Sequence, residues 1–109
     1  MGEGEWHELQ EIDAEEAEFP VATTVDGEDI VIFQIGDDYR GAQRLCPHKE
    51  GDFVRRGAIM GNGKMLRCSL HGFIFNLDSG KGVNAGPQCI DIFEIKRDGS
   101  CLQARKKQK

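Results

Sequence analysis

Two short segments, Cys46-Pro47-His48 and Cys68-Ser69-Leu70-His71, decide how this chain folds and what it holds. Each segment supplies one thiol and one imidazole, and nineteen residues separate the two segments. Thiolate and imidazole are the side-chain ligands that soft and borderline metal ions prefer in proteins. The sequence therefore predicts a metal centre whose ligands are Cys46, His48, Cys68 and His71.

Two sulfurs and two nitrogens are the ligand set of a [2Fe–2S] cluster in which the two irons are bound differently. Thiolates stabilise ferric iron, whereas neutral imidazoles raise the reduction potential of the iron that they hold. We expect Cys46 and Cys68 on one iron, and His48 and His71 on the other. Two loops that meet at their tips would bring these four side chains together, and Gly61-Asn62-Gly63 predicts the turn of a hairpin between them.

The four residues have two other interpretations. A structural zinc ion in a binding module without a redox role is one alternative, although the single residue between Cys46 and His48 is a narrow gap for chelating one ion. Cysteines and histidines scattered through a core without any metal are the other. The chain has three histidines, and two of them lie in the paired segments. His7, the third, is interpreted as a surface or packing residue.

With their flanking sequence, the two segments resemble the Rieske ferredoxin family, the small soluble ferredoxin components of bacterial oxygenase systems. Residues 25–33 and 75–82 also match the family pattern. The resemblance implies one Rieske-type [2Fe–2S] cluster per chain, near one tip of the molecule, with the histidine edges facing solvent. It also implies a third, proline-bearing loop over the cluster, for which Asn84-Ala85-Gly86-Pro87 is the candidate.

The chain departs from the high-potential Rieske proteins of respiration and photosynthesis in two ways. Those proteins have an additional cysteine in each cluster loop, and the two additional cysteines form a disulfide. Gly51 and Leu70 stand at the corresponding positions here. Their second histidine is followed by a Gly-Ser-x-Tyr pattern with two hydroxyl donors, whereas Gly72 is followed here by 73–75, Phe-Ile-Phe. The resemblance therefore implies a potential toward the lower end of the Rieske span of about −150 to +300 mV.

The rest of the sequence predicts an all-β fold, a Rieske-type antiparallel β-sandwich or small barrel. We expect a single domain over 1–109, with a cluster-binding subdomain at about 44–88 formed by two ligand loops and a proline loop. A turn is expected at 97–99, and at most one turn of helix in 10–18. Strands are expected at 6–9, 21–25, 30–35, 39–44, 73–77, 90–96 and 100–104.

Charge and composition restrict the partners and the compartment. The net charge is −5, and eight acidic residues precede residue 20, which argues against nucleic-acid binding and favours partners with basic faces. Neither a long apolar segment nor a secretory leader is visible, so we expect no membrane association and a cytoplasmic location. A disulfide between Cys89 and Cys101 is not expected, in keeping with a reducing compartment.

These observations predict a monomeric one-electron carrier rather than an enzyme. A flavin-dependent reductase is the expected donor and a terminal oxygenase, of an aromatic-ring-hydroxylating or related system, is the expected acceptor, both bound transiently. The alternative within the same chemistry is a small Rieske subunit fixed in a larger reductase or oxidase, such as a nitrite-reductase type complex. Such a subunit would copurify with its partner and expose a large apolar patch when alone.

Overall fold

The structure, a computed structural model, describes residues 5–47, 51–69, 72–84 and 86–107. Nine strands and one short helix lie within these ranges. The elements are β1 (His7–Asp13), β2 (Val21–Val25), β3 (Glu28–Ile35), β4 (Asp38–Gln43), α1 (Phe53–Arg56), β5 (Gly57–Met60), β6 (Met65–Cys68), β7 (Phe73–Asn76), β8 (Ile92–Asp98) and β9 (Cys101–Lys106).

Six strands form one antiparallel sheet in the order β1-β9-β8-β4-β3-β2. The middle of β3 shows why this sheet is central, because Ile30, Val31, Ile32 and Phe33 are all buried. Alternate side chains of a strand point to opposite faces. Ile30 and Ile32 belong to one apolar core, and Val31 and Phe33 belong to a second core on the other face.

The second core lies between the large sheet and a three-stranded antiparallel sheet in the order β5-β6-β7. The hairpin predicted between the two ligand segments is the β5–β6 pair, in which Met60 lies opposite Met65. Its turn lies against β3, where a Cβ at Gly63 would stand 2.7 Å from Cγ2 of Ile35. Both Cys46 and Cys68 are buried in this second core, so the cluster loops are part of the contact between the sheets.

The prediction of an all-β antiparallel fold is confirmed, and two local predictions are wrong. Strand β1 continues to Asp13 rather than ending at residue 9, because Leu9 and Ile12 are both buried, and its register with β9 shifts between Leu9 and Asp13. The single turn allowed in 10–18 follows the strand, where the Ala17 N–H donates to the Asp13 carbonyl at 2.8 Å. The β8–β9 turn is formed by Gly99 and Ser100 rather than by 97–99, and Gly99 has a φ of 65°, a conformation that favours glycine. Cys101 consequently lies opposite Asp98.

Helix α1 is the element that the sequence did not predict. It is four residues long, and its buried residue is Phe53. Within the described ranges, no helix is long and apolar enough to cross a membrane.

Candidate metal centre

The first ligand loop begins directly after β4 and is closed by backbone hydrogen bonds. Leu45 and Asp52 form an isolated antiparallel bridge, and the Cys46 N–H donates to the Gly51 carbonyl oxygen at 2.7 Å. The two described ends of this loop are therefore joined at Cys46 and Gly51. Cys46 is 5% exposed, so its side chain lies in the protein interior.

An ion pair and a helix cap stabilise the end of this loop, where the chain enters α1. The Arg44 guanidinium lies 3.1 Å from Oδ2 of Asp52, and Oδ1 of Asp52 accepts the Val54 N–H at 2.9 Å, which caps the N-terminus of α1. Burial of Asp52 raises the pKa of its carboxyl, but the hydrogen bonds from Arg44 and Val54 outweigh burial and hold that pKa below 3.8. The same contact raises the pKa of Arg44. Asp52 is thus ionised at neutral pH and links the loop to α1.

The second ligand loop begins at the end of β6 and is attached to α1. Cys68 is fully buried, and its carbonyl accepts the Gly72 N–H at 2.6 Å. Gly72 has a φ of 73°, a conformation that glycine adopts without steric cost. The Arg56 carbonyl at the end of α1 accepts both the Ser69 N–H, at 2.8 Å, and the Ser69 hydroxyl, at 2.7 Å. Helix α1 therefore holds the two ligand loops beside each other.

The two cysteine sulfurs converge beside Gly51. A Cβ at Gly51 would stand 2.8 Å from the Cys68 Sγ and 3.7 Å from the Cys46 Sγ, so both sulfurs lie within 4 Å of one point. Cys68 is not part of a disulfide. Thiolates buried in an apolar core are costly unless a cation compensates them. Two sulfurs this close, presented by two loops, fit ligands of a single iron.

The predicted proline loop is bonded to the second ligand loop through Asn84. The Asn84 Oδ1 accepts the Ile74 N–H at 2.8 Å, and its Nδ2 donates to the Gly72 carbonyl at 3.1 Å. The neighbouring Val83 N–H donates to the Ile74 carbonyl at 2.7 Å. The chain before Pro87 is consequently fixed against β7 and the end of the second loop, as the prediction requires.

The predicted histidine ligands, His48 and His71, lie outside the described residues, as does Ala85 in the proline loop. Each histidine is adjacent in sequence to a described residue of its loop, Pro47 and Gly72. The structure thus brings Cys46 and Cys68 together, while the assignment of His48 and His71 stays a prediction.

The surroundings of the sulfurs are apolar. Phe53 and Phe75 are fully buried in the same core, with ring centroids 6.2 Å apart in an edge-to-face arrangement at 83°. Ser69 is the one hydroxyl residue in the described part of the second loop, 68–69 and 72, and its hydroxyl donates to the Arg56 carbonyl. Neither Phe75 nor Ser69 therefore supplies a hydroxyl hydrogen bond to a cysteine sulfur.

Sequence reasoning missed three positioning residues, Gly51, Asp52 and Asn84. Asp52 directly before an apolar residue is a helix-cap signal that could have revealed α1. Gly51, eight residues after the end of β4, has no comparable signal, because its role depends on a contact with Cys68 across the site. Asn84 was named only as part of the proline loop.

The chain is similar to several known iron–sulfur proteins and oxygenase components. The ferredoxin of carbazole 1,9a-dioxygenase from Nocardioides aromaticivorans IC177 has a TM-score of 0.72 at 20% identity, covering 87% of this chain and 93% of that one. A protein assigned as the small subunit of an NADH-dependent nitrite reductase from Mycobacterium tuberculosis has a TM-score of 0.74 at 14% identity, covering 95% and 96%. At these identities, the likeness establishes the fold.

Among curated proteins, cytidine monophosphate-N-acetylneuraminic acid hydroxylase from Xenopus laevis is 30% identical over 73 residues, or 66% of this chain. The match covers 12% of that protein, so the chain spans about an eighth of its length. The family model described as the Rieske [2Fe-2S] domain matches residues 5–104. That match favours a Rieske-type cluster over the zinc ion considered above. The chain belongs to the Rieske [2Fe-2S] domain family, and its cofactor is a Rieske-type [2Fe–2S] cluster.

Proposed function

We propose that Cys46 and Cys68 hold one iron of the cluster and that His48 and His71 hold the other. The observation that carries this assignment is the convergence of the two sulfurs beside Gly51. Each cysteine lies in its own loop, followed within three residues by one of the histidines. Cys46 and Cys68 are buried, whereas the residues that follow them, Pro47 and Ser69, are exposed.

We propose that the chain is a single domain over 1–109 that works as a one-electron carrier, without a chemical step of its own. When bound, a Rieske cluster takes up and releases one electron at a time. A flavin-dependent reductase would supply that electron and a terminal oxygenase would accept it. The similarity to the ferredoxin of a carbazole dioxygenase supports this role.

We further propose a potential toward the low end of the Rieske span, about −150 to +300 mV. Reduction adds negative charge beside the cysteine sulfurs, and hydrogen bonds to sulfur would stabilise that charge. The Ser69 hydroxyl is bonded to the Arg56 carbonyl instead, and Phe75 has no hydroxyl. A midpoint above about +100 mV in a redox titration would contradict the proposal.

The experiment that tests the assignment combines spectra with composition. Protein purified without air is analysed for iron and sulfide, and its dithionite-reduced form is examined by visible and low-temperature EPR spectroscopy. We expect equal iron and sulfide, two of each per chain, and the low-average-g signal of mixed ligation. Cys46→Ser and Cys68→Ser should lose the cluster, whereas the matched changes Cys89→Ser and Cys101→Ser should retain it. Loss of the cluster in Cys89→Ser would show that the ligand set is wrong.

A small Rieske subunit fixed in a larger reductase or oxidase is the second candidate. Two observations favour this candidate. The chain covers only 12% of the Xenopus laevis hydroxylase, and it is similar to a nitrite reductase small subunit. Large apolar side chains exposed within the described ranges are Leu45, Met60 and Val83, which form no broad apolar face along one element. Purification from the native source separates the candidates, because a fixed subunit elutes with its partner at constant stoichiometry and a carrier elutes alone.

A further inference from the structure

Charge is divided unequally along this chain. The segment 44–88, which contains both ligand loops and the small sheet, has seven Lys or Arg and three Asp or Glu, a net charge of +4. The chain total is −5, which leaves −9 on the remaining residues. A molecule that is acidic overall is therefore basic in the part that contains the metal centre.

Three exposed arginines, Arg55, Arg56 and Arg67, make up what we call the arginine face. Arg55 and Arg56 form the last turn of α1, and the Arg56 carbonyl holds Ser69 of the second loop. Arg67 precedes Cys68 on β6, and its Nη2 lies 3.7 Å from the position that a Cβ would take at Gly72. The arginine face consequently borders the second ligand loop on both its sides.

The charges of this face are less compensated than those of the other arginines. Arg40, Arg44, Arg97 and Arg105 each form an ion pair with a carboxylate at 3.6 Å or less. Within the described part of the chain, Arg56 and Arg67 form none. Arg55 contributes only a Coulombic attraction to Asp52, which Arg44 already neutralises. The face thus presents net positive charge to solvent next to the site of electron transfer.

Two of the exposed large apolar side chains are also at this end of the molecule. Leu45, 55% exposed, directly precedes Cys46, and Val83, 59% exposed, directly precedes Asn84 of the proline loop. Small interfaces that form and separate rapidly combine a few apolar contacts with charged residues at the rim. Leu45 and Val83 would supply the apolar contacts, and the arginine face would supply the charged rim.

We propose that the arginine face is the docking surface for an acidic face of the redox protein that exchanges electrons with this chain. The proposal rests on the function proposed above, and it gives the docking face the opposite sign to the one that net charge alone suggests. Positive charge beside the centre and excess negative charge on the body form a dipole. Such a dipole would orient the carrier with its cluster end toward an acidic partner and its body away from it.

The test measures the sign of the charge where electrons leave the protein. Reduced protein is mixed in a stopped-flow instrument with hexacyanoferrate(III), a trianion, and separately with tris(phenanthroline)cobalt(III), a trication. One electron passes from the cluster to the reagent, which becomes the iron(II) or cobalt(II) complex, and no proton moves. We expect the hexacyanoferrate rate constant to fall as ionic strength rises, and the cobalt rate constant to rise or stay flat.

Charge reversal locates the effect on the surface. Arg56→Glu and Arg67→Glu should each lower the hexacyanoferrate rate constant several-fold at low ionic strength and converge on the parent value at high salt. Lys64→Glu is the matched control, because it makes the same charge change on the turn before β6, at the opposite end of that strand from Cys68. A lowered cluster potential in these variants would accelerate oxidation by hexacyanoferrate, so slower oxidation cannot come from a change of potential.

A second readout does not depend on electron transfer. Hexacyanochromate(III), a redox-inert paramagnetic trianion, should broaden the amide NMR signals of Arg55 and Arg56 in oxidised protein more than that of Lys64. Even broadening, or a hexacyanoferrate rate that rises with salt, would overturn the arginine face as an anionic docking surface. A protein that reduces neither reagent would instead refute the proposed carrier function, since the NMR result still reports the surface. Tight binding of a single-stranded oligonucleotide that Arg56→Glu abolishes would assign the face to nucleic acid and overturn the proposal.

Discussion

Gly51 lies so close to Cys68 that a Cβ built on its backbone would stand 2.8 Å from the cysteine sulfur. The same Cβ would stand 2.7 Å from the Cβ of Cys46. Real Cβ atoms do not approach other atoms this closely, so in this chain a side chain at position 51 would require one of the ligand loops to shift. The observed approach of the two sulfurs therefore depends on Gly51.

Gly51→Ala should therefore impair the centre more than the fold. We expect lower iron and sulfide content per chain and faster bleaching of the visible spectrum, because one loop must shift to admit the methyl group. Gly99→Ala is the control, since Gly99 has nothing within 4 Å of its Cβ position but has a φ of 65°. It should destabilise the protein by about 1 kcal/mol and keep the full iron content. Equal iron content in the two variants would contradict the role given to Gly51.

Asn84→Ala should loosen the proline loop. It removes the hydrogen bond from the Ile74 N–H and the one to the Gly72 carbonyl, which together connect this loop to the second ligand loop. We expect the free energy of unfolding to fall by about 1 to 3 kcal/mol and the cluster to be lost faster to a chelator. Chelator kinetics followed in the visible spectrum measure the second effect.

Asn76→Ala is a matched control for that experiment. The Asn76 side chain also forms two hydrogen bonds, both accepted by its Oδ1, from the Asp78 and Ser79 N–H groups. Asn76 lies on β7 opposite Met65 rather than Cys68. Asn76→Ala should destabilise the chain by a similar amount. At a temperature well below unfolding, it should leave the rate of cluster loss to the chelator unchanged. If both variants lose the cluster equally fast, the effect of Asn84 is one of general stability.

The sequence predicted the architecture because local patterns determine it. Alternating apolar residues and glycine-containing turns placed most strands within two residues of their observed ends, and the β5–β6 hairpin follows directly from the glycines at 61 and 63. The errors occur where tertiary contacts override a local pattern. The acidic stretch after Leu9 favours a turn by composition, yet burial of Ile12 keeps it in the sheet.

For the candidate site, the sequence predicts the ligand types but not the supporting contacts. Cys46 and Cys68 are recognisable because few residue types bind iron, whereas the roles of Gly51 and Asn84 depend on atoms distant in sequence. Net charge likewise did not reveal the arginine face, because the sum over the whole chain hides the difference between its basic segment, 44–88, and the acidic remainder.

Acid should weaken the link between Arg44 and Asp52. The pKa of Asp52 is lower in the folded protein than its ordinary value of 3.8, so the unfolded chain binds a proton more readily than the folded chain. The stability that ionised Asp52 contributes is therefore complete above pH 3.8 and is lost as the pH falls through the folded value. Asp52→Asn should retain the helix cap, since Asn caps as well as Asp, and should lack this dependence.

The measurement for Asp52 is the urea midpoint of both proteins between neutral pH and the acid limit of folding. Protonation of other groups affects both proteins and cancels in the difference. We expect the parent to be the more stable at neutral pH and the two midpoints to approach each other below about pH 4. A constant difference at all pH values would show that the contact with Arg44 does not stabilise the fold through charge.

Phe75→Tyr should raise the reduction potential. Phe75 is fully buried in the core that contains both cysteines, and the sequence resemblance predicts that it occupies the position of the tyrosine in high-potential Rieske proteins. A hydroxyl there would seek an acceptor in an apolar core, and a cysteine sulfur that gains negative charge on reduction is a suitable one. A net hydrogen bond of about 0.5 to 1.5 kcal/mol in favour of the reduced state corresponds to a rise of about 20 to 60 mV.

The control for this change is Phe93→Tyr, which adds the same hydroxyl to the other apolar core, away from both cysteines. Redox titration monitored by EPR should give a higher midpoint for Phe75→Tyr and the parent midpoint for Phe93→Tyr. The hydrogen bond from the added hydroxyl to sulfur can form in both the oxidised and the reduced protein. The shift in midpoint potential therefore measures how much stronger that bond is in the reduced protein. An unchanged midpoint in Phe75→Tyr, with the cluster intact, would show that the side chain at position 75 does not face a cysteine sulfur. The explanation of the proposed low potential would then depend on Ser69 alone.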